Sequence, residues 1–216
     1  MSTVNYIPAL RFKWLTPLYD FIVGYTMPEK KIKEHLIQAA EISDGQDVLD
    51  FGCGTGTLTI MAKEAHSGAS ITGIDIDIQI LNKAIQRAQA KKLDIMLIDY
   101  DGSKLPFRDN QFNRIISCLV FHHLDTVTKQ KILAGLFRTL SSGGRLHIAD
   151  FGRSASWLQR KLFNIIRTLD GFKSTRANAE GVLPLLIEEA GFKNVSVTRK
   201  FKTIFGEVQL FNATKQ

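Results

Sequence analysis

The sequence predicts an α/β fold with a doubly wound, mostly parallel sheet of seven strands and helices on both faces. From Gln46 onward, short apolar runs that end near polar or acidic residues alternate with stretches of helical periodicity. Buried parallel strands joined by helices produce this pattern. The last two runs are separated only by "KTIFGE", too short for a crossover helix, so they should form a C-terminal antiparallel hairpin. We therefore expect a Rossmann-like architecture.

The predicted elements follow one another without a repeat or a low-complexity linker. The strands are, in chain order, "DVLDF", "SITGID", "DIMLID", "RIISCLV", "RLHIAD", "VSVTRKF" and "VQLFNATK". Three of the helices between them have apolar faces, made by Leu58, Met61, Ala62 and Ala65; by Ile78, Leu81, Ala84, Ile85 and Ala88; and by Ile132, Leu133, Leu136, Phe137 and Leu140. Glycine in "SSGGR" is predicted to end the third of these helices, and Gly191 the helix before the hairpin.

Two segments fall outside this alternation. Residues 1–45 are predicted to form an N-terminal helical cap of the same domain, whose main part is residues 46–216. Residues 153–178, which include "SWLQRKLFNIIRTL", are predicted to be a helical insertion after the fifth strand. Ligands of open α/β sheets bind at the C-terminal edge of the strands. We therefore expect these segments to form a lid and part of a substrate wall.

Composition and charge restrict the classes of binding partner and the cellular compartment that we expect. The 216 residues carry a net charge of +7, but no block of five like charges occurs, which disfavours nucleic acid as a partner. The sequence lacks an apolar stretch of 18 residues and a signal-peptide pattern, so we expect a cytoplasmic protein. The basic, amphipathic stretch Arg160–Arg167 leaves peripheral contact with a membrane open. Cys53 and Cys118 are expected to be reduced thiols, and no close His/Cys cluster predicts a metal.

A glycine-rich turn follows the first predicted strand. In "VLDFGCGTGTL", Gly52, Gly54 and Gly56 come after a strand and before a helix, the context of a nucleotide-binding turn. A nicotinamide site would have glycine or alanine where this chain has Thr57. The pattern favours a nucleoside ligand without a pyrophosphate, and a purely structural tight turn is the alternative.

The second strand ends in an acidic pair, within "GIDID". Asp75 lies 19 residues past Gly56, at the position from which a carboxylate can accept hydrogen bonds from ribose hydroxyls. The alternative for Asp75 is a helix N-cap, a role for which Asp77 is better placed.

Taken in order, these motifs resemble those of the class I S-adenosylmethionine-dependent methyltransferases. The runs are "VLDFGCGTGTLT", "GIDIDIQIL", "DYDGSKLPFRDNQFNRIISCLVFHHL", "RTLSSGGRLHIADF" and "EEAGFKNV", with "PLYDFIVG" nearer the start. The sequence is most similar to the group that contains the ubiquinone and menaquinone C-methyltransferases (methyltransferase type 11). One departure is Asn113, where the family usually has aspartate; we expect a tolerated structural change.

The resemblance implies S-adenosylmethionine as cofactor and a role for each matching residue. Gly52, Gly54 and Gly56 would approach its methionine and ribose parts; Asp50 would lie beneath the loop; Asp75 would hold the ribose; Ile76 would pack on the adenine; Asp101 would accept from the adenine amino group, beside Gly102; Cys118 and Leu119 would face the sulfonium; Cys53 and Tyr19 complete the cofactor-binding set. For Asp101, a solvated turn residue is an equal alternative, and Asp99 is a rival ligand.

The resemblance also implies the reaction, which is in-line displacement of a methyl group onto an acceptor. We expect a small or lipid-like acceptor, such as a quinone-like ring. His123 and Asp150 are the candidate catalytic residues, with His122 ranked below them and Tyr19 and Asp20 as further candidates. The alternatives are RNA or protein methylation, an NAD-dependent oxidoreductase and a non-catalytic cofactor-binding protein. The sequence leaves the oligomeric state open.

Overall fold

The computed structural model describes residues 28–152, 181–203 and 206–216. The helices are α1 (Glu29–Ala40), α2 (Thr57–Ala65), α3 (Ile78–Ala90), α4 (Thr126–Thr139) and α5 (Leu183–Glu189). The strands are β1 (Asp47–Phe51), β2 (Ser70–Asp75), β3 (Met96–Asp99), β4 (Phe112–Cys118), β5 (Leu140–Phe151), β6 (Lys193–Thr203) and β7 (Gly206–Thr214), and a 3₁₀ turn spans Phe121–His123. Tyr19, Asp20 and the insertion predicted at 153–178 lie outside the described residues.

The seven strands form one sheet in the order β3-β2-β1-β4-β5-β7-β6. Strands β1 to β5 are parallel to one another, and β7 is antiparallel to both of its neighbours, β5 and β6. The predicted fold class is therefore confirmed, including the C-terminal hairpin. Because β1 to β5 run in the same direction, their C-terminal ends share one edge of the sheet.

Each face of the sheet carries its own apolar core. Consecutive strand residues point to opposite faces, so Val48 and Leu49 of β1 belong to different cores. On one face, α4 and α5 contribute Leu133, Leu136, Leu183, Leu186 and Ile187. On the other face, α1 and α2 contribute Ile32, Leu36, Ile37, Leu58 and Ala62. Helix α1 thus packs in the core on the second of these faces. The extent of the predicted N-terminal cap stays a prediction.

Several predicted boundaries were wrong, and two of these errors have a clear physical cause. Strand β4 ends at Cys118 rather than Val120, because Leu119 turns the chain with a φ of 59°. Helix α4 ends at Thr139, before the glycines of "SSGGR", because Leu140 is extended, fully buried and paired with Phe112. The glycines instead lie within β5, where the register with β4 shifts.

The substitution at Asn113 keeps a structural role. Its Oδ1 accepts a hydrogen bond from the backbone N–H of Asp47, 2.9 Å away, which ties the start of β1 to β4. An aspartate oxygen could accept the same bond, so the departure from the family pattern leaves the sheet intact.

None of the helices in the described ranges combines the length and the apolar character needed to cross a bilayer.

Candidate active site

The glycine-rich turn between β1 and α2 is held by backbone hydrogen bonds. The N–H groups of Gly52 and Cys53 both donate to the carbonyl of Ile74, at 2.9 and 3.0 Å, and Gly56 N donates to Cys53 O at 2.9 Å. Gly52, Gly54 and Gly56 all have a positive φ, of 72°, 55° and 73°. Glycine adopts this conformation without strain, which explains the composition of the turn.

The three glycines meet different surroundings. A Cβ at Gly52 would lie 2.5 Å from Cγ2 of Val120, and one at Gly56 would lie 2.9 Å from Cβ of Ala84. A Cβ at Gly54 would have no atom of the described residues within 4 Å. Packing against Val120, which follows β4, and against α3 therefore requires two of the glycines, whereas Gly54 borders open space at the C-terminal edge of the sheet.

Asp75 links the end of β2 to this turn. Its Oδ2 accepts from Gly54 N at 2.7 Å, and its Oδ1 accepts from Asp77 N at 3.0 Å. Asp77 in turn caps α3 by accepting from the N–H groups of Gln79 and Ile80, which confirms it as the N-cap. Each oxygen of Asp75 has a second lone pair, so the carboxylate can still accept ribose hydroxyls.

Arg87 fastens the same turn from α3. One guanidinium nitrogen, Nη1, donates to the carbonyl oxygen of Thr55 at 2.7 Å and to the hydroxyls of Thr57 and Thr55 at 2.9 and 3.1 Å. Sequence reasoning missed Arg87, because its spacing from the turn carries no motif. Thr57 therefore has a structural task at the position that distinguishes this turn from a nicotinamide site.

Asp50 is buried beneath the turn, with 1% of its surface exposed. Thr59 of α2 donates its hydroxyl to Asp50 Oδ2 at 2.6 Å. Burial raises the pKa of Asp50 to about 6, and the hydrogen bond from Thr59 offsets only part of this rise. Cys53, also buried, has a thiol pKa raised by burial, so it is a neutral packing group. Thr59 is a second residue that the sequence did not identify.

The end of β3 and the turn after it carry the residues that are predicted to contact the adenine. Asp99 lies beside Asp75 in the parallel register and is exposed. Asp101 accepts from the backbone and the hydroxyl of Ser103, and these bonds lower the pKa of Asp101. Asp101 thus forms a turn, followed by Gly102 with a φ of 77°. Its Oδ1 makes both bonds, so Oδ2 can still serve a ligand, and Asp99 stays its rival.

The end of β4 combines strain with close packing. Leu119 has a φ of 59°, a conformation that costs a leucine free energy, and its N–H donates to Ala149 O at 2.8 Å. Cys118 and Leu119 are half-buried, and Val120 packs over Gly52. The turn at Leu119 leads the chain along the C-terminal edge of the sheet to Phe121 and His122, whose backbone N–H groups donate to Asp150.

Asp150, at the end of β5, is fully buried and holds the turn that follows β4. Its Oδ2 accepts from Phe121 N at 2.7 Å and His122 N at 3.3 Å, and its Oδ1 lies 3.0 Å from His122 Nδ1. Burial alone would raise the pKa of Asp150, but the imidazole of His122 and the backbone N–H of Phe151 hold it below its ordinary value. Since the ionised carboxylate can only accept, Nδ1 of His122 donates, and a neutral ring has its lone pair on Nε2.

His123 occupies a different place from its neighbour. It is exposed, its ring centroid lies 3.8 Å from that of His122, and repulsion from the positive charge of His122 lowers the pKa of His123. The described hydrogen bonds of Asp150 go to His122 and not to His123. The structure therefore brings His122 and Asp150 together as an Asp–His pair, while a catalytic role for His123 stays a prediction.

The comparisons with known proteins agree with this geometry. Residues 48–144 match the family model described as a methyltransferase domain. An uncharacterised methyltransferase from Synechocystis is 26% identical over 99% of this chain and 97% of its own length. A demethylmenaquinone methyltransferase from Thermus thermophilus is 34% identical over 48% of this chain, and the match spans only 46% of that relative, about half its length.

A solved structure shares the fold. That of phosphoethanolamine N-methyltransferase 2 from Haemonchus contortus, in complex with S-adenosyl-L-methionine, superposes with a TM-score of 0.68 at 17% identity. The superposition covers 91% of this chain and 56% of that chain.

Proposed function

Because the chain belongs to the class I S-adenosylmethionine-dependent methyltransferases, we propose that it methylates a small or lipid-like acceptor with a quinone-like ring. The name of the Thermus thermophilus relative, a demethylmenaquinone methyltransferase, supports this acceptor class. The observation that carries the proposal is the His122–Asp150 pair, since replacing a ring hydrogen by a methyl group requires a base for the departing proton.

The site described above fits the cofactor. S-Adenosylmethionine, when bound, supplies a methyl group activated by a positively charged sulfur. The open space at Gly54 leaves room for a ligand beside bare backbone, and the Asp75 carboxylate has acceptor capacity for two ribose hydroxyls. Ile76 and Ile78 expose 39% and 47% of their surfaces, which suits packing on an adenine. Asp50 lies below the turn as a negative group for the cationic end of the ligand.

The residues of this chain would act mainly by placement. Direct displacement at an activated methyl carbon is accelerated by aligning the acceptor and excluding water. Nε2 of His122 would accept the proton that the acceptor loses, and Asp150 would fix the ring orientation and the tautomer. As the proton moves to His122, the buried carboxylate stabilises the imidazolium.

The glycines of the turn give a prediction that separates folding from cofactor binding. Gly52→Ala should lower the free energy of unfolding by about 2–4 kcal/mol, because the added Cβ would clash with Val120 and alanine would have to adopt a positive φ. Gly54→Ala should cost only about 1–2 kcal/mol, yet weaken S-adenosylmethionine binding at least about tenfold. Urea denaturation and isothermal titration measure the two effects.

Gly143→Ala is the matched control, since Gly143 also has a positive φ (75°) and open space around it but lies at the start of β5. It should cost as much stability as Gly54→Ala and leave cofactor affinity unchanged. Equal affinity losses in both variants would contradict the assignment of Gly54.

Asp50 gives a pH prediction. A pKa of about 6, above the ordinary 3.8, means that the folded protein holds this proton more tightly than the unfolded chain. Its contribution to stability is therefore present at low pH and lost as the pH rises from about 4 to 6. Binding of the cationic cofactor needs the ionised form, so affinity should fall as the pH drops through 6.

Asp50→Asn should remove this pH dependence of binding, with a lower affinity at pH 8. Titrations of the wild type and the variant between pH 5 and pH 8 check it. A wild-type affinity that is constant over that range would refute the role of Asp50.

Methyl transfer to defined pools tests the proposed acceptor. The purified protein is incubated with S-adenosylmethionine labelled in its methyl group and with a reduced naphthoquinone that lacks its ring methyl, in detergent micelles. RNA and a protein extract are offered in parallel. We expect label in the quinol, and a fall in kcat of about 100-fold or more in His122→Gln with cofactor affinity retained. Label confined to RNA or protein would overturn the proposal.

A further inference from the structure

The end of strand β6 lies at the edge of the sheet that carries the candidate active site. Strand β6 is antiparallel to β7, which is itself antiparallel to β5, so β6 runs in the same direction as β5. In this register Lys200 pairs with Gln209 of β7, which pairs with Asp150. Two strand spacings, about 10 Å in all, therefore separate the backbone at the end of β6 from that at Asp150.

Helix α1 brings its first turns to the same edge. The ring of His35 packs edge-on against the ring of Phe201, with the centroids 5.5 Å apart. At the other end of the helix, Glu41 pairs with Arg145, which lies beside Arg114 near the start of β4. The helix therefore runs away from the active-site edge, and its N-terminal turns lie at that edge.

Exposed basic side chains gather where β6 and α1 meet. Arg199 lies over the same Phe201 ring that His35 contacts, with its Cζ 5.8 Å from the ring centroid. Lys31 precedes His35 by one helical turn, so these two side chains share a face of α1. Partial burial, followed by the charges of Arg199 and Lys31, lowers the pKa of His35, which agrees with this closeness. We refer to the exposed cations of this region as the basic surface, which consists of Lys30, Lys31, Arg199, Lys200 and Lys202.

Nearby carboxylates neutralise only part of the basic surface. Glu34 lies 3.9 Å from Nζ of Lys30, and Glu207 lies 3.2 Å from Nζ of Lys200. The ion pairs of the described residues include none of the other three members, Lys31, Arg199 and Lys202. The basic surface therefore carries an excess of positive charge that attracts an anionic partner.

A cleft of about 850 Å³ connects this surface with the glycine-rich turn. Its walls include Lys30, Lys31 and His35 of α1 together with Thr57 and Met61 of α2. Thr57 is the first residue of α2 and directly follows the turn. The space beside the proposed cofactor position is therefore bordered by members of the basic surface.

We propose that the basic surface docks onto the anionic headgroups of a lipid bilayer and so holds the active-site edge against the membrane that contains the acceptor. The inference rests on the proposed function for the lipid-like character of that acceptor. Each basic side chain near an anionic bilayer raises the partition coefficient roughly fivefold, and the attraction falls off within a Debye length. A lipid-like acceptor is concentrated in the bilayer, so a membrane rather than RNA is the anionic partner that also delivers the substrate.

Sedimentation with lipid vesicles tests the docking without relying on methyl transfer. The vesicles contain equal parts of phosphatidylglycerol and phosphatidylcholine, or phosphatidylcholine alone. The test variant combines Lys31→Gln, Arg199→Gln and Lys202→Gln. We expect the wild type to bind only the anionic vesicles, and the test variant to bind them about 100-fold more weakly, at roughly fivefold per charge. Raising the NaCl concentration from about 0.1 M to about 1 M should release the wild type, because the Debye length falls from about 10 Å to about 3 Å.

The matched control removes the same number of charges at the opposite edge of the sheet. It combines Lys91→Gln and Lys92→Gln, where α3 ends, with Lys193→Gln at the start of β6. The control should bind the anionic vesicles within about twofold of the wild type, since these lysines lie beyond a Debye length from the docked edge. An equal loss in the control would reduce the effect to net charge and overturn the proposal, as would wild-type binding that is indifferent to phosphatidylglycerol.

Methyl transfer then distinguishes this inference from the proposed function. The test variant should methylate the reduced naphthoquinone at the wild-type rate in neutral detergent micelles, and more slowly than the wild type in anionic vesicles. Lost vesicle binding with transfer intact in micelles would overturn the docking and leave the proposed function standing. Specific vesicle binding without methylation of the quinol would support the docking and count against the acceptor. Displacement of the protein from vesicles by RNA of equal total charge would overturn the choice of a membrane.

Discussion

Asp150→Ala is expected to lower the free energy of unfolding by about 3–5 kcal/mol and to remove nearly all methyl transfer. The carboxylate is fully buried and accepts hydrogen bonds from Phe121 N, His122 N, Phe151 N and the His122 ring. Its removal leaves buried donors without their acceptor and frees the turn that carries the proposed base. Urea denaturation followed by circular dichroism measures the loss.

Asp109→Ala is the control for this prediction. Asp109 is exposed and pairs with Arg138 at 2.6 Å, so its removal should cost less than about 1 kcal/mol. If Asp150→Ala cost no more than this control, the carboxylate would not organise the turn. Should the alanine variant fail to fold, Asp150→Asn, which keeps the size of the side chain, is expected to fold and to lose kcat through a misdirected His122 ring.

Asp75→Ala should weaken S-adenosylmethionine binding by about 1–3 kcal/mol, which is roughly 5- to 150-fold. The substitution removes the proposed acceptor for the ribose and also the acceptor of Gly54 N, which shapes the turn. Isothermal titration at pH 8 measures the change.

Asp77→Asn is the matched control, because it changes the charge of the neighbouring acidic residue and keeps a side chain that caps α3 well. It should leave cofactor affinity within about twofold of the wild type. An unaltered affinity in Asp75→Ala would refute the ribose assignment, and an equal loss in Asp77→Asn would point to a general effect of charge.

Features encoded locally could be predicted from the sequence. The bounds of β1 and β2 match the runs "DVLDF" and "SITGID", since each is a short apolar run with an acidic residue near its end. Asp77 could be recognised as a helix cap because its side chain serves the N–H groups two and three residues ahead. The hairpin of β6 and β7 followed from the length of the connection alone.

Features that depend on the orientation of side chains in the folded protein could not be predicted from the sequence. The letters "FHHL" offer two adjacent imidazoles, and only the 3₁₀ turn determines that His122 rather than His123 meets Asp150. Thr59 and Arg87 act across the turn through contacts 9 and 32 residues apart in sequence, without a motif. Lys129 resembles a solvated charge in the sequence, and its burial arises only from the packing of α4.

A pair of direct binding titrations tests the central claim most directly, that the turn between β1 and α2, with Asp75, binds an adenosyl sulfonium cofactor. The purified protein is titrated with S-adenosylmethionine and, separately, with NAD, in the wild type and in Gly54→Ala. The account predicts saturable binding of S-adenosylmethionine that weakens in the variant, and far weaker binding of NAD. Preference for NAD, or S-adenosylmethionine binding that is indifferent to Gly54, would contradict it.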